Sequence, residues 1–183
     1  MKKIFIYIYL NIEIQAPVNF LCDIMKIEKF NGFDKNGNLP PGIYNMTLTE
    51  VEKIFSKNKT PIRNNIMHEY KKHFSELKNT GYFLDHWIGG SFITTELNPN
   101  DIDTLTEFNG CEIEKNNDKT KIDNIINNSK LNTNGLCHSL KIYKYPPSDE
   151  RYSFYLKTKL RILIEIFGSD REGKSKGIVH LIN

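Results

Sequence analysis

The chain has 183 residues, 25 of them basic and 22 acidic, for a formal charge of +3. That is enough chain for one domain with a core of its own and too little for two, and the charge is too mild to argue for a nucleic-acid surface. Three cysteines, Cys22, Cys111 and Cys137, without C-x-x-C spacing, exclude a disulfide framework and a zinc ribbon as organising devices and fit a reducing cytoplasm.

Met1-Lys2-Lys3 followed by Ile4 to Leu10 imitates the start of a secretory signal, but Asn11 and Glu13 interrupt the apolar run and no small-x-small cleavage site follows. Residues 1–25 therefore read as an extension outside the domain, and residues 26–183 as one domain with no membrane-spanning segment. Residues 26–42 carry Asn31-Gly32, Asn36-Gly37 and Pro40-Pro41-Gly42, the chemistry of turns, and read as an irregular arm. Thr47 and Glu50 have capping-box spacing ahead of a short amphipathic helix ending near Lys57. Thr60 as N-cap with Pro61 in the first helical position opens a second helix, with Ile62, Ile66, Met67, Tyr70, Phe74 and Leu77 at helical spacing and Gly81 as its stop. His68 and His73 fall near its polar side and read as solvated.

Tyr82 to Gly89 reads as a buried strand, Phe92 to Glu96 as a short helical turn, and Asp101 to Phe108 as the next strand. Asn109-Gly110 is a turn signal; Asp118 to Lys130 reads as a polar helix and Leu136 to Tyr145 as a strand stopped by Pro146-Pro147. Ser148 is placed to cap a last helix with a broad apolar face from Tyr152 to Phe167, and a polar loop leads to a short strand over 178–182. The expected fold is α/β (α+β), a small mixed sheet flanked by helices.

The chemistry concentrates in one stretch. Gly90 and Ser91 form a tight turn after a buried strand, and after nine intervening residues Asp101-Ile102-Asp103 opens the next. Side chains alternate along a strand, so Asp101 and Asp103 share a face while Ile102 points inward. A glycine-serine turn lets backbone amides approach phosphate oxygens, and a divalent cation relieves the repulsion between adjacent carboxylates.

Trp87-Ile88-Gly89-Gly90-Ser91 followed by Asp101-Ile102-Asp103 resembles the signature of the DNA polymerase beta-type nucleotidyltransferase superfamily. Leu39-Pro40-Pro41-Gly42-Ile43, Asn98-Pro99-Asn100-Asp101, Asp170-Arg171 and Lys176-Gly177-Ile178 extend the likeness to a family of small bacterial nucleotidyltransferase-like proteins, over about residues 38–182. The resemblance implies that Asp101 and Asp103 bind Mg²⁺ or Mn²⁺, that Gly90 and Ser91 hold the phosphates of a nucleoside triphosphate, and that Arg171 and Lys176 reach the same anion. It implies transfer of a nucleoside monophosphate to a hydroxyl on a protein, RNA or small molecule. Active members add a third carboxylate on a neighbouring strand, whereas the strand from Leu136 to Tyr145 offers only His138, with Glu112 and Glu114 as residues that could fold back. The departure opens a second expectation, a catalytically degenerate binding module such as an antitoxin or phage-defence component with a protein partner encoded nearby. Trp87 and Phe92 read as core.

Overall fold

The computed structural model describes residues 26–182; the signal-like stretch before them lies outside the described residues. The chain folds into a mixed α+β domain around a six-stranded sheet of order β1-β2-β6-β3-β4-β5. Its strands are β1 (Ile27–Glu28), β2 (Ile43–Met46), β3 (Phe83–Gly89), β4 (Ile102–Asn109), β5 (Cys137–Lys144) and β6 (Ile178–Leu181). β3 runs antiparallel to both β4 and β6, while β4–β5, β2–β6 and β1–β2 are parallel.

The helices form largely where the caps predict. In α1 (Leu48–Phe55) the Thr47 hydroxyl accepts from the Glu50 amide and the Glu50 carboxylate accepts from the Thr47 amide, so two orphan donors are satisfied. α2 (Pro61–Lys78) starts at Pro61 as expected, but Thr60 makes no cap bond; its hydroxyl donates instead to the Leu97 carbonyl at 2.8 Å. α2 lays Ile66, Met67, Tyr70 and Phe74 on Ile88, Ile102 and Val179, forming the larger core layer. Phe92 and Ile93 join the core, so the reading of Phe92 and Trp87 as core side chains holds.

Several expectations are corrected. The arm over 26–42 contains β1, and β2, which its sequence did not announce, follows directly. Asn109-Gly110 is the start of a helix, α3 (Gly110–Lys115), because the Asn109 side chain accepts from the Glu112 amide and caps it. The polar helix is two pieces, α4 (Lys119–Asn127) and α5 (Ser129–Asn132). Residues 92–96 form turns and bends, not a helix. Ser148 does not cap the last helix; Asp149 accepts from the Arg151 amide, and α6 (Tyr152–Arg161) begins after it before widening into a π-helical stretch, Ile162–Phe167. His73 is buried, not solvated, with Nε2 2.8 Å from Ser139 Oγ.

α6 and the π stretch cover the opposite face of the sheet, packing Tyr155, Leu163 and Phe167 on Trp87, Leu105 and Ile142. Among the described residues no helix is long and apolar enough to cross a membrane.

His86 lies on the α2 face, stacked with Tyr70 and Phe83, its Nδ1 2.9 Å from Thr106 Oγ1. Burial, with His73 nearby, pushes its pKa down to about 3. The unfolded chain takes up this proton near pH 6.5 and the folded chain does not. Stability is therefore full above that pH and is lost as pH falls toward 3, by at most about 1.4 kcal/mol per pH unit from this group. Urea midpoints measured from about pH 7.5 to about pH 4.5 should fall accordingly, and His86→Leu should flatten that dependence.

Candidate functional site

The register of the sheet assembles the site. Gly89 pairs with Asp103 across β3 and β4, and Asp103 pairs with His138 across β4 and β5, so the three form one row on the α6 face of the sheet. The next row, Trp87, Leu105 and Leu140, is apolar and belongs with the core beneath α6. Phe167 lies directly against Gly89, where any side chain would collide with its ring. The covered part of the face thus ends beside Asp103.

Asp101 immediately precedes β4. Asp101, Asp103 and His138 each offer a ligand atom, and these atoms all lie within 4.8 Å of one another; each residue is half-buried. His138 Nδ1 is 3.1 Å from Asp103 Oδ1, and Lys130 Nζ is 3.9 Å from Asp101 Oδ2. Partial burial, reinforced by the charge of Asp103, raises the Asp101 pKa. A divalent cation would relieve that repulsion. Two carboxylates suit Mg²⁺ or Mn²⁺, and the imidazole suits Mn²⁺ better than Mg²⁺, so the donor set fits such an ion.

Gly90 has φ +74°, the left-handed region that favours glycine, and a Cβ there would collide with the Asp103 carboxylate. The turn that follows is held by its carbonyls. Lys176 Nζ donates to the Gly90 carbonyl at 3.1 Å, the Thr94 amide and hydroxyl donate to the Ser91 carbonyl, and Arg63 donates to the Phe92 carbonyl at 2.7 Å. By contrast, the amide of Ser91, a half-buried residue, donates to no acceptor among the described residues, while Phe92 and Ile93 after it are fully buried. A free amide directly beyond a left-handed glycine is suited to contact an anion.

Lys176 is only 6 % exposed. Burial lowers its pKa, while the charges of Asp103 and Asp170 oppose the shift. It reaches the site from a loop closed by the Ser169–Ser175 bridge and by Asp170, whose carboxylate accepts from the Glu172 and Lys174 amides. A family model described as a family of unknown function (DUF6932) matches residues 31–182, a segment that holds every candidate site residue. The chain belongs to that family. No curated protein and no solved structure matches it.

Of the residues singled out in this member of DUF6932, the structure brings together Asp101, Asp103, His138, Gly90, Ser91 and Lys176. Arg171 sits exposed at the tip of the C-terminal loop, near enough for its charge to act on Lys176. Glu112 and Glu114 do not fold back: they sit on α3, beyond the far end of β4, where Glu114 binds Arg151 and Tyr145 and Glu112 faces Lys115. Arg63 was missed by sequence reasoning. It stands in phase with Ile66, Tyr70 and Phe74 on the apolar side of α2, and a charge on that stripe was the available signal.

Gly90→Ala and Gly81→Ala both place alanine at a left-handed position, costing about 1–2 kcal/mol each. Gly81 has open space around it. Gly90→Ala should therefore destabilise more, and the excess should shrink in an Asp103→Ala background, as read by urea denaturation of the four-member cycle.

Proposed function

We propose that the protein is a divalent-metal-dependent nucleotidyltransferase that moves a nucleoside monophosphate from a triphosphate to a hydroxyl acceptor on a protein, RNA or small molecule. The observation that carries this reading is the juxtaposition of the Asp101, Asp103 and His138 donors with the Gly90-Ser91 turn and its unpaired Ser91 amide, one suited to a cation and the other to phosphate oxygens. Asp101, Asp103 and His138 would hold Mg²⁺ or Mn²⁺, which when bound neutralises phosphate charge and polarises the phosphoryl group under attack. Gly90 and Ser91 orient the triphosphate, and Lys176 adds positive charge beside Gly90. Arg171, exposed on the loop that carries Lys176, would meet the outer phosphates. His138, when not engaged as a ligand, is the base in the row that would take a proton from an attacking hydroxyl. A cytoplasmic setting agrees with the free thiols Cys111 and Cys137.

One observation favours a second reading. Among the described residues, no third carboxylate joins Asp101 and Asp103; His138 stands in its place and is hydrogen-bonded to Asp103. A site of that composition suits a module that binds nucleotide without turnover, such as an antitoxin or phage-defence component acting on a protein encoded nearby.

Incubation with labelled nucleoside triphosphates, Mn²⁺ or Mg²⁺ and candidate acceptors separates the two. Transfer should appear, faster with Mn²⁺, and should drop by at least about a hundredfold in Asp101→Ala and in Asp103→Ala. Transfer that survives in the double variant rules out the catalytic assignment, and tight nucleotide binding with no transfer in any combination establishes the second reading.

A further inference from the structure

Arg63 is a buried charge that the site described so far does not use. It is 3 % exposed and forms no ion pair with a carboxylate among the described residues. Its guanidinium is instead spent on backbone carbonyls. Nη1 donates to Phe55 and Phe92 (2.8 and 2.7 Å), Nη2 to Thr94 and Glu96 (2.8 and 2.5 Å), and Nε to Glu96 (2.8 Å). Burial lowers its pKa, and the charge of Glu96 opposes the shift.

Burying a guanidinium is costly, and a neutral side chain of similar volume would commonly serve stability as well. Two properties distinguish the arrangement chosen. First, three of the four carbonyls belong to one short segment, Phe92 to Glu96, that begins directly after Ser91. The planar fork fixes their spacing in a way that an ammonium or an apolar side chain cannot. Second, carbonyl dipoles solvate the charge without pairing it with a carboxylate, so positive charge, opposed in part by Glu96, remains beside the turn that carries Ser91. Lys176 donates to the carbonyl before that turn, that of Gly90. The two cations hold the Gly90 and Phe92 carbonyls on either side of Ser91 in the sequence.

We propose that Arg63 is a positioning residue for the polyphosphate of the substrate: it holds the Phe92–Glu96 segment so that the Ser91 amide before it stays available to phosphate, and its charge, ion-paired with no carboxylate, raises the affinity of that turn for a multiply charged anion. The inference rests on the nucleotide reading above and assigns to α2 a part in it. No contact between Arg63 and the ligand is required.

The test uses the full chain, inorganic tripolyphosphate as the anion probe and Mn²⁺ as the cation probe. Calorimetry should show tripolyphosphate binding to the wild type and at least about tenfold weaker binding to Arg63→Met and to Arg63→Lys, since lysine keeps the charge but not the fork. Mn²⁺ binding at Asp101 and Asp103, read by electron paramagnetic resonance, should stay within about twofold in both variants, a split that general loosening of the fold would not produce. In the wild type, the ¹⁵Nε resonance of Arg63 should shift on titration with tripolyphosphate, a readout that needs no variant to fold. Wild-type affinity in both variants, or an Arg63 resonance that does not move at saturation, overturns the role of Arg63 and leaves the nucleotide reading standing. A wild type that binds Mn²⁺ but no tripolyphosphate overturns both.

Discussion

The register of β4 between β3 and β5 is the constraint on which the site depends. Because β4 is antiparallel to one neighbour and parallel to the other, one residue of it, Asp103, faces Gly89 on one side and His138 on the other. A slip of one residue would send Asp103 to the α2 face and put Ile102 in its place. Register is protected on both faces. Leu105 and Ile142 pack under α6, while on the reverse face Thr104 Oγ1 and Ser139 Oγ, 3.0 Å apart, tie β4 to β5 one residue from the site, with His73 as their partner from α2. A polar contact in the interior fixes alignment more sharply than apolar packing alone, since only one register satisfies its donors.

Charge burial follows one logic throughout the domain. Two rows from Asp103 on the same face, Glu107 is fully buried, accepting from Trp87 Nε1 and the Tyr155 hydroxyl and pairing with Lys159. That carboxylate is neutralised and saturated, and it docks α6 onto the sheet. Arg63 and Lys176, by contrast, are buried against carbonyls and keep their charge. Asp101 and Asp103 are half-buried; among the described residues His138 lies against Asp103, Lys130 stands 3.9 Å from Asp101, and the charge of Lys176 acts on Asp103 without an ion pair. Complete compensation marks the scaffold and incomplete compensation marks the site.

The sequence made the local elements legible where their chemistry is local. Thr47 with Glu50, Pro61 and the apolar stripe of α2 specify a helix without reference to anything distant, and the alternation of Asp101, Ile102 and Asp103 places two carboxylates on one face. What it did not show are outcomes of tertiary contact. Two-residue β1 and four-residue β2 carry too little pattern to announce a strand, and they pair only because β6 is available beside them. Asn109-Gly110 has the composition of a turn, and the Asn109 side chain turned it into a helix cap. His73 looked solvated because its partner, Ser139, lies 66 residues away. Arg63 went unread because the carbonyls it serves, three of them within Phe92 to Glu96, reach it only in the fold.

The place of β6 has a consequence for how the protein comes into being. Among the described residues it is the C-terminal strand, yet it lies in the middle of the sheet, parallel to β2 and antiparallel to β3. Until it arrives, β1 and β2 have no link to β3, β4 and β5 within the sheet, and Tyr44 and Ile88 lack Val179 between them. Lys176, which grips Gly90, precedes β6 by two residues. During synthesis the sheet therefore stays in two pieces until residues 176–181 have been made, and the event that joins them also delivers a cation to the turn. A chain stopped short of residue 176 would carry Asp101, Asp103 and His138 without the strand that joins the two halves of the sheet and without the lysine beside Gly90, so the site is completed by a segment far from it in sequence.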